Sequence, residues 1–186
     1  MIKRNCKFMT DLDALIQLFT SLVRSKLEYG AVLWSPDTSS WVHKLEIVQC
    51  RFIKYLFYKE NKFYPSYPEC ISYLSLVESL DMLTLNSRRI IQGLILLHKL
   101  ISGQLHCPEL LSKINFHVPQ LRTRTLNNTK LFEIKPKNVI SGLDTILKNY
   151  NDLILENPNI DITENLENFV KKVKSFYSSK QGSVAW

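Results

Sequence analysis

Glycine is scarce in this chain, with only 5 in 186 residues. Together with a hydrophobic content of 45%, that excludes a flexible linker or a disordered polymer and leaves an ordered chain long enough to bury a core. No GxxxxGK[ST] loop and no GxGxxG turn is present, so the two commonest phosphate-cradling motifs are excluded. There is no adjacent Asp-Asp pair of the kind that holds two metal ions for nucleotidyl transfer. Asp11 and Asp13 come nearest, but helix positions two apart diverge by about 200° and do not face one ion. They read instead as a helix N-terminal cap and dipole match. The four cysteines, Cys6, Cys50, Cys70 and Cys107, match no zinc or redox spacing. The thiols are read as reduced, and the chain as intracellular, in nucleus or cytoplasm. The N-terminus MIKRNCKFMTDLD is too polar for a signal peptide. The longest apolar run, Ile90 to Leu97, is interrupted by Gln92 and too short to span a bilayer, so no membrane partner is expected. The histidines are scattered, and His98 reads as a satisfied core or boundary residue. Cys50 or Cys107 would need a partnered histidine to act as a nucleophile.

What the chain does have is positive charge, +7 overall and unevenly spread. Residues 1–63 hold 10 Lys/Arg against 6 Asp/Glu, and residues 88–141 hold 9 against 2. Residues 64–87 hold no base at all, and residues 142–186 are close to neutral. Basic surface is what a phosphate-binding protein needs, because Lys and Arg displace condensed counterions.

Helical periodicity runs through most of the sequence. Thr10 is the expected N-cap of a first long helix, with Asp13 in capping-box position and Leu12, Leu15, Ile16, Phe19, Leu22, Val23 and Leu27 on its apolar side. Gly30 is a candidate stop, the alternative being a helix that runs on through Val32 and Leu33 to Trp34, and Pro36 forces a stop nearby. Ser39 or Ser40 caps a second helix with the stripe Val42, Leu45, Val48, Phe52 and Leu56. Lys44, Arg51 and Lys54 fall off that stripe. After a Tyr/Pro/Asn-rich connector and a short helix, a long central helix is expected from about Asp81 to Ser102, with Asp81 as its early acid, Arg88 and Arg89 within it, and Gly103 at its C-cap. Cys107-Pro108-Glu109 opens a further turn. From Lys113 to Asn138 the pattern is loop-like, with Arg122 and Arg124 exposed and at most one short β segment near 131–134. Ser141 caps one further helix and Thr163 starts a last one, and the tail after residue 178 reads as frayed.

The segments MIKRNCK, TDLDAL, LVRSKLEYGAVLWSP and KLEIVQCRFIKYL, continued by YPECISYLSLVESLDMLTLNSRRIIQGLILLHKLISGQLHCPELLSKINFHVPQLRTR, resemble the region downstream of the catalytic palm in non-LTR retrotransposon reverse transcriptases of the jockey and LINE type. The resemblance covers most of residues 1–154. It departs near Ile134 to Ser141, where the family's loop is longer. It implies a helical thumb lying against a template–primer duplex, followed by a helical extension. Fingers and palm, with the catalytic aspartates and Mg, would lie upstream, so no cofactor belongs to this chain and catalysis by it alone is not expected.

The expectation is therefore an all-α chain. Residues 1–63 form a thumb-like bundle, 64–178 a second helical subdomain, and 179–186 a frayed tail. The bases expected to contact a nucleic-acid backbone are Lys26, Lys44, Arg51, Lys54, Arg88, Arg89, Arg122 and Arg124, as phosphate contacts without base reading. The partner would be an RNA or DNA duplex. The competing readings are a protein-interaction module that docks or self-associates through exposed apolar helix faces, and a translated relic without function.

Overall fold

Asp11, one residue after the expected cap, starts the first long helix. The computed structural model describes residues 2–35, 38–64, 71–118, 130–134 and 142–181. Their elements are α1 (Ile2–Asn5), α2 (Leu12–Phe19), α3 (Ser25–Glu28), α4 (Ala31–Trp34), α5 (Ser39–Asn61), α6 (Tyr73–Ser79), α7 (Leu85–Ile101), α8 (Pro108–Leu111), β1 (Asn115–Phe116), β2 (Phe132–Glu133), α9 (Gly142–Glu156) and α10 (Leu166–Gln181). The fold is all-α, with one antiparallel pair among the described residues, Asn115 with Glu133 and Phe116 with Phe132, so the single expected β segment has a two-residue partner. The helical tail runs to Gln181, further than the frayed end expected after residue 178. Contacts divide the chain into two compact units, Met1–Arg89 with Tyr177–Trp186, and Ile90–Phe176. The cut falls inside α7 and not in the connector after residue 63.

In the first unit, Asp11 accepts hydrogen bonds from the amides of Asp13 at 3.0 Å and Ala14 at 3.4 Å. These satisfy two of the donors that every helix start leaves open. Leu15 and Phe19 on α2 are buried against α5, where the Phe19 and Phe52 rings stack with centroids 4.0 Å apart. Between α2 and α3 the chain takes a wide π-helical turn, Thr20–Arg24, in which the Ser25 N–H bonds the Thr20 carbonyl five residues back. That turn shifts the helical phase and leaves Leu22 48% exposed, although its spacing reads as core. Gly30 then stops α3 with φ 61°, a left-handed conformation that side chains with a Cβ seldom take.

Helix α6 ends on Asp81. Its φ is 48°, its N–H bonds the Glu78 carbonyl, and the Met82 N–H bonds that of Val77. This six-to-one and five-to-two pair is a Schellman stop. Asp81 therefore closes α6 and does not open α7. The first three amides of α7 are met otherwise. The Glu46 carboxylate of α5 accepts from Leu85 at 3.1 Å and Asn86 at 3.2 Å, and Thr84 Oγ1 accepts from Ser87 at 3.1 Å. Tyr73 on α6 donates its hydroxyl to the same carboxylate. Glu46 and Gln49 are consequently buried on α5, while Val48, expected in the stripe, is 37% exposed.

In the second unit, α7 meets α9 where Gly93 faces Ile146 and α10 where the His98 ring faces Phe169, and β2 packs on α9 through Phe132 and Tyr150. The buried set includes Leu94, Leu97, Phe132, Leu147, Tyr150 and Phe169. Asn151 of α9 treats β2 as a strand would. Its Oδ1 accepts from the amides of Leu131 and Phe132 at 3.1 and 3.0 Å, and its Nδ2 donates to the Phe132 carbonyl at 2.9 Å. His98 is a core residue. Its Nε2 donates to the Glu164 carbonyl at 2.8 Å, which fixes the Nε2–H tautomer because a carbonyl can only accept.

Candidate nucleic-acid interface

The expected bases separate into three groups. Lys26 on α3 and Lys44 and Arg51 on α5 are exposed, and Lys54 on α5 is half-buried. Arg122 and Arg124 lie outside the described residues. Arg88 is partly exposed and paired with Glu28, and Arg89 is buried.

Arg88 grips Glu28 with two donors, Nε to Oε1 and Nη2 to Oε2, the latter at 3.0 Å. This planar fork geometry suits a carboxylate and uses the charge that a phosphate contact would need. Arg24 lies 3.9 Å from the same carboxylate. Burial, and then the neighbouring Arg88, pulls the Arg24 guanidinium below its ordinary value, with Glu28 opposing. Arg89 is 4% exposed, and among the described residues its guanidinium nitrogens have no hydrogen-bond partner. Burial lowers its proton affinity, and the charges of Glu46 and Glu28 partly restore it. Sequence periodicity placed both arginines in a central helix without showing which side of it each occupies.

Helix α5 carries three of the expected bases, Lys44, Arg51 and Lys54. At about 100° per residue, Trp41, Lys44, Val48 and Arg51 fall within roughly 80° of one another. All four are exposed. The corresponding azimuth further along α5 is covered. Tyr55 is buried there, its hydroxyl donates to the Cys6 carbonyl at 3.4 Å, and Lys3 lies over its ring. The open face is therefore the first half of the helix. From Ser39 to Phe57 the only carboxylate on α5 is Glu46, and it is turned inward onto α7. The outward charges on this stretch are all positive.

Trp41 was missed by reasoning from charge alone. It is 59% exposed, and the Lys44 ammonium lies over its ring, 4.1 Å from the centroid. The signal was present in the i, i+3, i+10 spacing of Trp41, Lys44 and Arg51. A second aromatic corner follows Gly30, where Trp34 Nε1 donates to the Tyr29 carbonyl at 2.7 Å and Tyr29 and Leu33 are exposed. Burial pushes the Cys50 thiol up, an effect larger than the opposing pull of Lys54, which disfavours the thiolate. Among the described residues no three His, Cys, Asp or Glu side chains gather to hold a metal ion, and no helix is long and apolar enough to cross a membrane. No protein-family model matches the chain, and neither a curated protein nor a solved structure resembles it at a significant level.

Proposed function

We propose that this chain is the thumb and downstream part of a non-LTR reverse transcriptase and that it contacts the backbone of a template–primer duplex without catalysis of its own. The observation that carries this reading is the open half of α5, whose outward charges are Lys44 and Arg51 with the one carboxylate buried. A face of one sign on a rigid helix tracks phosphates and draws its affinity from counterion release. The exposed Lys26 of α3 and the half-buried Lys54 of α5 complete the described bases of the proposed contact set. In this reading the polymerase chemistry and its Mg belong to a palm that the sequence given does not include.

Anisotropy titration of a labelled RNA/DNA primer–template against the intact chain tests it. Binding is expected to weaken steeply with salt. Lys44→Ala with Arg51→Ala should reduce the salt slope by about 2 and weaken binding to all sequences alike. Arg88→Ala, removing a base that is already paired, should change the affinity by less than about twofold at equal salt. Absence of binding even at low salt would overturn the reading. A second reading, self-association, draws on the exposed Tyr29 and Leu33 at the α4 corner. Sedimentation that depends on protein concentration, without nucleic-acid binding, would select it.

A further inference from the structure

Phosphate contact does not account for Trp41. A tryptophan 59% exposed in the first turn of a helix adds little to a core, and this one is held in a defined setting by the Lys44 ammonium at 4.1 Å from its ring centroid. Along the same face, Arg51 follows Lys44 by seven residues, about 10 Å of helix rise. An aromatic plane beside two cations, on a stretch whose carboxylate is buried, has the chemistry of a single-strand subsite: the ring stacks a base and the cations take the flanking phosphates.

We propose that Trp41 is a stacking platform for an unpaired base of single-stranded nucleic acid whose phosphates run along Lys44 and Arg51. The proposal rests on the nucleic-acid reading above and adds to it a preference for strand state. A base in a blunt duplex is already stacked and paired and has no free face to offer. An unpaired base at a junction or overhang has one. The platform is tolerant of sequence, because every base has a π face. The charge on the face complements a polyanion, which favours a nucleic acid over an apolar protein partner.

The experiment uses the intact chain with Trp34→Phe and Trp186→Phe, so that Trp41 is the only tryptophan. It is titrated with a single-stranded oligo(dT) 12-mer and, separately, with a blunt duplex of comparable length. Saturable quenching of Trp41 by the single strand, with little or none by the duplex, is expected. In anisotropy on the otherwise native chain, Trp41→Ala should weaken single-strand binding about tenfold and duplex binding by less than about twofold, whereas Trp41→Phe should retain most of the affinity. Circular dichroism and a denaturation midpoint confirm that each variant is folded. Unchanged single-strand affinity in Trp41→Ala, with Lys44→Ala and Arg51→Ala still weakening both ligands, overturns the stacking platform and leaves the phosphate reading standing. No binding of either ligand at low salt overturns both. Quenching that follows protein concentration and not oligonucleotide also overturns the platform, in favour of a second copy of the chain.

Discussion

A Cβ placed on Gly93 of α7 would lie 3.0 Å from Cγ1 of Ile146 on α9. That is closer than real Cβ contacts comfortably come, so the glycine is what lets the two helices of this unit approach. Two effects oppose each other in Gly93→Ala. Alanine favours a helix interior by about 0.5–1 kcal/mol, and the contact with Ile146 forces a shift in a packed core that costs typically 1–3 kcal/mol. The clash should win, giving a net loss of about 1 kcal/mol in urea denaturation. With Ile146→Ala already in place, the same change should become stabilising by about 0.5–1 kcal/mol. A Gly93→Ala effect of the same sign and size in both backgrounds would show that the contact is not what requires glycine.

Glu46 should matter more to stability than any of the exposed bases. Its carboxylate meets the amides of Leu85 and Asn86 and the hydroxyl of Tyr73 in a buried setting. Glu46→Ala removes a cap and strands one buried and two part-buried donors, a loss of about 2–4 kcal/mol. Glu46→Gln keeps a carbonyl acceptor and should lose about half as much. The denaturation midpoint reads both, and hydrogen exchange at Leu85 and Asn86 should speed up in the alanine variant. Exchange unchanged at those two amides would refute the cap.

Alkaline pH should weaken the fold through Tyr150. Burial pushes its phenol up to about 12. An unfolded tyrosine titrates near 10. Between those two values the unfolded chain has released the proton and the folded chain holds it, so the unfolded state binds fewer protons and stability falls as pH rises. Below about 10 the contribution is fully present. Tyr73, raised by burial and then by the charge of Glu46, acts in the same direction. Urea midpoints should be flat up to a pH of about 10 and then decline, and Tyr150→Phe should decline less by about 1–2 kcal/mol over the window. Absorbance at about 295 nm should show a late-titrating phenol that is absent from the variant. An equally steep decline in Tyr150→Phe would contradict the assignment.

These particulars show what could be read from residues alone. The helices themselves, the stops at Gly30 and Gly103, and the start at Pro108 follow from local chemistry, which is present within a few residues of each. Leu15, Phe19, Phe52 and Leu56 were legible as core because their spacing matches one face of a helix. Glu46 and Gln49 were not, since a polar residue is buried only when its partner arrives from elsewhere in the chain, here 39 residues later for Leu85. Their inward turn rotates α5 and brings Val48 to the surface. Leu22 was misplaced because a π turn changes the period on which the reading depends. The same blindness to long-range pairing placed Arg88 among the phosphate contacts, when Glu28, 60 residues earlier, already holds it. Trp41 went unread because it carries no charge, although its position relative to Lys44 was there to be counted.

The cap on α7 also fixes the azimuth of α5. A twist of α5 about its axis by a single residue position, about 100°, would withdraw Glu46 from Leu85 and Asn86 and swing Lys44 and Arg51 toward the interior. The inside and the outside of this helix are thus indexed to one another. The hydrogen bonds that seat α7 are also the detent that keeps Trp41, Lys44 and Arg51 facing outward, so that in the proposed reading a ligand would meet a helix whose rotation is already locked.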